Sequence, residues 1–268
     1  MAKFDFNPKI AGFDFNNALR MAEMAYLAYK PQIHIKKFMR GKWRFNKFKF
    51  LSGKETQAFM VANDEIIILT FRGTDSIEDW ITDADARLVK GPWGRVHRGF
   101  REALNCIWHD IKRTLTEFQY KSQPFWIAGH SLGGALATLA AAKFIKEEYK
   151  RPKGIYTFGQ PRVGNKIFVR DFNALLKRRT FRFVNNEDIV TRVPPRTLKY
   201  EHIGNACYLD NSGKLHRDEK WWRQFLDSSV STAVRSVDRF RILREEYPNG
   251  IDDHSMHRYI KRIKANFT

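Results

Sequence analysis

Residues 125–140 read Phe125-Trp126-Ile127-Ala128-Gly129-His130-Ser131-Leu132-Gly133-Gly134-Ala135-Leu136-Ala137-Thr138-Leu139-Ala140. A short apolar run of strand character enters a Gly-X-Ser-X-Gly turn and leaves it through a run of small residues and leucines with helical character. The motif alone is short enough to arise by chance; the strand before it and the helix after it give it meaning. A serine on so sharp a turn tolerates no bulk on either side, and Gly129 and Gly133 remove it. Gly134 and Ala135 let the helix pack close to the sheet. The helix start then aims backbone N–H groups and a positive dipole end at the serine, where an oxyanion would develop. The simpler alternative, an ordinary serine in a glycine-rich turn, explains less of this context.

Outward from this segment, strand and helix alternate. Ile66-Ile67-Ile68-Leu69-Thr70-Phe71 is a short, nearly continuous apolar run, as expected of a strand buried on both faces of a largely parallel sheet. Residues 58–62, 154–158 and 181–184 read as further strands, and helical stretches are expected near 97–121, 132–149 and 164–178. Apolar residues from Phe15 to Tyr29 have the spacing of an amphipathic helix that stops before Pro31. Residues 219–237 and 253–264 also read as helical. The pattern predicts an α/β fold with a central, mostly parallel sheet flanked by crossover helices. One domain over residues 1–268 is the expectation for 268 residues without repeats or low-complexity segments.

The chain holds 48 Lys and Arg against 29 Asp and Glu, a formal charge of +19. That excess should attract anionic surfaces such as lipid headgroups, nucleic acid or polymers. Residues 30–49 concentrate it, with eight Lys or Arg, no acid, and Phe38, Trp43, Phe45 and Phe48 interleaved. The segment reads as a charged hairpin or a docking face. Cys106 and Cys207 are too far apart to form a zinc motif or a disulfide framework and are expected as free thiols. No apolar stretch is long enough to span a bilayer. Met1-Ala2-Lys3-Phe4-Asp5-Phe6 lacks the features of a secretory signal. A complete chain would therefore be expected in the cytoplasm, and one whose leader has been removed would be secreted.

A serine hydroxyl needs a base, usually a histidine held by a carboxylate. In α/β-hydrolase chains these follow the serine in the order acid, then histidine. Asp188 lies just after the strand at 181–184, at the strand end where such sheets place functional groups. It serves equally well as a turn residue or cap, and Glu187 and Asp171 are weaker rivals. His202, His216, His254 and His257 are the candidate bases. His254 and His257 have no evident third partner for a metal site. His130, beside the serine, reads as a packing residue.

Seven segments in order resemble the class 3 lipase family, the family of the filamentous-fungal triacylglycerol lipases, over roughly residues 55–260. They are Phe71-Arg72-Gly73-Thr74, Asp79-Trp80-Ile81-Thr82-Asp83, Val96-His97-Arg98-Gly99-Phe100, residues 129–137, Phe158-Gly159-Gln160-Pro161-Arg162-Val163-Gly164-Asn165, Asn186-Glu187-Asp188-Ile189-Val190 with Pro194-Pro195, and Asp253-His254. The resemblance implies the α/β-hydrolase fold and a carboxylic ester hydrolase, a triacylglycerol lipase first of all, with no metal and no cofactor. It implies Ser131 as nucleophile, Asp188 as orienter and His254, preceded by an aspartate, as base. Thr74 and Leu132 would supply the oxyanion hole. The segment from about Ser76 to Asp83, with Ile77, Trp80 and Ile81, would be a short lid helix. Its Glu78, Asp79, Thr82 and Asp83 argue against strong interfacial activation, and two lone cysteines do not reproduce the fungal disulfides. The implied partner is a lipid or other ester at an interface, with an anionic surface attracted by the basic charge. A phospholipase A1, a short-chain esterase or a feruloyl-type esterase would carry the same motifs. A binder of nucleic acid or anionic polymer is the alternative of another class.

Overall fold

The structure is a computed structural model, and it describes residues 4–77, 86–217, 245, 247 and 249–267. The expected helix at 219–237 lies outside them. An eight-stranded sheet organises the chain. Its strands are β1 (Lys47–Gly53), β2 (Thr56–Ala62), β3 (Ile67–Phe71), β6 (Phe125–His130), β7 (Gly154–Phe158), β8 (Thr180–Asn185), β9 (Asn205–Leu209) and β10 (Leu215–His216), in that order across the sheet. The run from β3 to β9 is parallel, while β1, β2 and β10 pair antiparallel at the edges. A separate two-stranded ribbon joins β4 (Leu88–Lys90) to β5 (Arg95–His97).

The apolar run at residues 66–71 is divided between the two faces by the period of the strand. Ile67, Leu69 and Phe71 enter one core and Ile68 the other. The first core is closed by helices α3 (Arg98–Phe118), α4 (Leu132–Glu148) and α5 (Lys166–Leu176). The second is closed by α1 (Phe15–Leu27), α2 (Gln32–Gly41) and α7 (Met256–Lys264). The result is the three-layer α/β-hydrolase arrangement that the sequence led us to expect.

Local signals account for several element ends. Asp14 caps α1 by accepting from Asn17 N–H at 2.8 Å. The basic segment is corrected by the structure: Pro31 opens α2, and the hairpin begins only at Lys47. Proline is well placed at a helix start, and Ile35 and Met39, one turn apart, bury against the second core. The expected helix at 253–264 is broken. A short α6 (Gly250–Asp253) ends at His254, and Ser255 caps α7. Cys106 is exposed and Cys207 buried, both unpaired. Among the described residues no helix is long and apolar enough to cross a membrane.

Candidate active site

Ser131 sits where β6 turns into α4, with φ 56° and ψ −129°, a left-handed conformation that a non-glycine residue seldom adopts. The turn is held by Ser131 N–H on the Phe158 carbonyl at 2.9 Å and by Gly134 N–H on the Ser131 carbonyl at 2.9 Å. A Cβ at Gly129 would collide with the Gly133 carbonyl, and one at Gly133 with the Phe71 carbonyl. The flanking glycines are therefore required by close backbone approach. Leu132 opens the helix, so its N–H lies at the positive end of a 17-residue dipole.

The structure brings Asp188 and His254 together across 66 residues of sequence, with His254 Nδ1 2.9 Å from both carboxylate oxygens. Asp188 is buried, and its oxygens also accept from Val190 N–H at 2.9 Å and Tyr259 O–H at 2.7 Å. Burial first, and then the Asp188 carboxylate, hold the Tyr259 phenol well above its ordinary value, which keeps it a donor. Asp253 anchors the histidine loop to the acid loop. Its buried carboxylate accepts from Asn186 Nδ2 at 3.0 Å and Glu187 N–H at 3.2 Å, and it pairs with Arg258 at 3.0 Å and Arg262 at 3.3 Å.

With Nδ1 committed to Asp188, the other ring nitrogen of His254 is buried and has no hydrogen-bond partner, and so is Ser131 Oγ. They are two of several such atoms among the described residues, and they stand out because one sits on the strained turn and the other on the ring that Asp188 holds. Gly159, at φ +58°, marks how closely the loops meet: a Cβ there would fall 2.6 Å from His254 Nδ1 and 2.7 Å from Asp188 Oδ2.

Two partners of the site were read from sequence only as packing residues. His130 Nε2 lies 2.7 Å from the His254 carbonyl, and its Nδ1 lies 2.7 Å from the Tyr29 hydroxyl. A carbonyl only accepts, so Nε2 carries the proton. Burial, reinforced by His254, pushes His130 well below its ordinary value and keeps it neutral. Nδ1 therefore accepts from the Tyr29 O–H. Tyr29 also stands against the Gly73–Thr74 loop, through Gly73 N–H and the Arg72 guanidinium 5.6 Å from its ring centroid. This links the loop carrying Thr74 to the backbone of His254. Only the tertiary contact reveals the role of Tyr29, which in sequence looks like the last apolar position of the amphipathic helix and in the structure lies just past the end of α1.

The remaining candidates lie elsewhere. His257 is exposed against the Tyr26 ring, His202 is half-buried on the Thr191 carbonyl at 2.8 Å, and His216 pairs with Asp210 at 2.7 Å. Asp171 pairs with Arg170 at 2.7 Å, and Glu187 accepts from Asn249 N–H at 3.3 Å. Among the described residues no cluster could hold a metal. A cavity of about 280 Å³ opens beside His254, lined in part by Tyr26, Tyr29, Thr74, Ile77 and Ile251. Thr74 Oγ1 accepts from Ser76 N–H at 3.2 Å, and Ile77 packs against Ile189, Val190 and Val193. Trp80 and Ile81 of the expected lid lie outside the described residues.

Burial also depresses His202 well below the ordinary histidine value of 6.5, with Arg182 and Arg162 adding to the effect. Both His130 and His202 are thus neutral when folded and protonate on unfolding. Below their ordinary value the unfolded state binds more protons, so stability falls as pH is lowered from about 7. Two such protons give a slope of up to about 2.7 kcal/mol per pH unit. Urea denaturation between pH 7 and 5.5 should show it, and a flat profile would mean that both rings are charged in the folded chain.

The sequence profile described as Lipase (class 3) matches residues 68–198. The chain is 35% identical over 159 residues to the secreted mono- and diacylglycerol lipase 1 of Fusarium solani, covering 57% of this chain and 46% of that protein. It is 35% identical over 175 residues to the lipase of Rhizomucor miehei, covering 59% and 46%. The chain thus spans about half the length of the curated relatives it matches. Among solved structures, a deletion mutant of the Rhizomucor miehei lipase propeptide complex superimposes with a TM-score of 0.67 at 25% identity, covering 90% of this chain and 77% of that one.

Proposed function

We propose that this chain, which belongs to the class 3 lipase family, hydrolyses carboxylic esters, triacylglycerols first of all, through Ser131, His254 and Asp188. The observation that carries the reading is the buried, unpartnered pair Ser131 Oγ and His254 Nε2, with Asp188 closing the far side of the imidazole. In this reading the ester oxygen lies against the N–H groups of Thr74 and Leu132. His254 Nε2 takes the Ser131 proton as Oγ attacks the carbonyl carbon, and the oxyanion is held by the two amides, each worth about 3 kcal/mol in comparable sites. The tetrahedral adduct expels the alcohol, which receives the proton from His254. Water then attacks the acyl-serine with His254 again as base, releasing the acid and restoring Ser131. The residues need no metal or cofactor for these steps, and we read residues 1–268 as acting in one domain.

Hydrolysis of p-nitrophenyl acetate, butyrate, octanoate and palmitate, with and without an emulsified interface, tests the substrate class. The expected result is activity that rises with chain length, with at most a modest gain at the interface. A maximum at acetate or butyrate without interfacial gain would make the protein a short-chain esterase, and no hydrolysis of any of them would remove the reading.

Gly159→Ala tests the geometry without removing a reacting group. The methyl group would have to displace the His254–Asp188 pair and sit at a positive φ. A displacement of about 1 Å corresponds to roughly 100-fold in turnover. Wild-type kcat in this variant would show that the pair does not need its observed position.

A further inference from the structure

The outward side of α2 is basic and carries one exposed aliphatic residue. Ile33, Lys36, Lys37 and Arg40 follow at i, i+3, i+4 and i+7, so they share one helix face, opposite the buried Ile35 and Met39. All four are exposed, Ile33 at 67%. Among the described residues none of the three cations pairs with a carboxylate. Residues 24–54 contain nine Lys or Arg and no Asp or Glu, so no acid neutralises this face from its own stretch of chain. Ile33 stands at the N-terminal end of this face beside three cations, whose clustering adds self-repulsion.

The face adjoins the site. Gln32, the first residue of α2, follows Tyr29 by three positions, and Tyr29 lines the cavity beside His254. Phe38 and Lys42 line a mostly apolar groove of about 480 Å³ that shares Tyr26 and His257 with that cavity. The groove thus leads from α2 to the mouth of the site.

We propose that the outer face of α2 docks the protein on an anionic phospholipid bilayer, with Lys36, Lys37 and Arg40 on the headgroups and Ile33 inserted between them. The apolar face of α2 is taken up by the core, so the attachment is chiefly electrostatic: three cations attract anionic headgroups, and Ile33 adds one aliphatic side chain. Nucleic acid fits less well, because no aromatic residue of this face is offered for base stacking: Trp43 is buried and Phe38 turns into the groove. The surface serves the ester-hydrolysing reading by bringing the mouth to its substrate, but its binding does not depend on that reading.

The test is sedimentation of the Ser131→Ala protein with phosphatidylcholine vesicles, with and without phosphatidylglycerol. The parent should bind the anionic vesicles and barely bind the neutral ones. The triple variant K36Q/K37Q/R40Q should bind the anionic vesicles on the order of 100-fold more weakly. Ile33→Ser, which keeps every charge, should lose about tenfold. High salt should shrink the gap between parent and triple variant. Equal binding to both vesicle types, or parent-like binding by the triple variant with its circular dichroism unchanged, overturns the proposal. So does charge-dependent binding of a single-stranded oligonucleotide with no vesicle binding. Vesicle binding by α2 in a wild-type protein that hydrolyses no ester would uphold the surface and remove the ester reading.

Discussion

Ser131→Ala should lower kcat for p-nitrophenyl butyrate by ~10⁴–10⁶-fold while the protein remains folded. The size follows from the mechanism: with Oγ gone, no acyl-enzyme forms, and only the amides of Thr74 and Leu132 and substrate binding remain to assist water. The fold should tolerate the change, because Ser131 Oγ makes no hydrogen bond and the turn is held by backbone contacts to Phe158 and Gly134. Removing a strained, buried, unpaired hydroxyl should leave the melting temperature unchanged or slightly higher. Steady-state kinetics and thermal melts on the same preparation check both halves. Turnover within tenfold of wild type would exclude Ser131 as the nucleophile, whatever its geometry.

Asp188→Asn is the second large effect, expected to cost about 10⁴ in kcat. The carboxylate accepts from three donors, His254 Nδ1–H, Val190 N–H and Tyr259 O–H. An amide of the same size offers one accepting oxygen and two new N–H donors. The imidazole would then be pushed toward the tautomer that places its hydrogen on Nε2, where it cannot take a proton from Ser131. KM should change little, because Asp188 is buried behind His254 and away from the cavity lining. Stability should fall modestly, since Tyr259 O–H and Val190 N–H compete for one oxygen. A variant with normal kcat would mean that His254 is oriented by something else, and the His130 contact to its carbonyl would be the first place to look.

The two substitutions differ in how much of their rationale the sequence displays. Around Ser131 the requirement is local: a strand, a turn with no room for side chains, and a helix start occupy sixteen consecutive residues, and each part constrains the next. For Asp188 the sequence offers only a position after a strand, equally consistent with a cap. Both roles turn out to be compatible, since its side chain also accepts from Val190 N–H at the start of a single helical turn. Among four downstream histidines, chain order favoured His254 only weakly, and the aspartate before it counted only through the family resemblance. The structure supplies a physical use for that aspartate, with Asp253 tying the loop to Asn186, Glu187, Arg258 and Arg262.

The basic segment shows the same division. Its charge and aromatic residues are plain in the sequence, which leaves a charged hairpin and a docking face both open. Ile35 and Met39 decide for a helix once there is a core to receive them, and that leaves Ile33 outside with the cations.

The sequence by itself determined the layer architecture, through alternating apolar strands and helices, and the nucleophile turn, through glycines that steric exclusion makes obligatory. Both depend on neighbours along the chain, where spacing is geometry. The tertiary structure alone decided which histidine meets which acid, that Tyr29 reaches His130 across 101 residues, and that His130 in turn holds the backbone of His254. Those pairings depend on which strand ends the parallel sheet sets side by side, and no periodicity within a segment encodes the order of strands across a sheet.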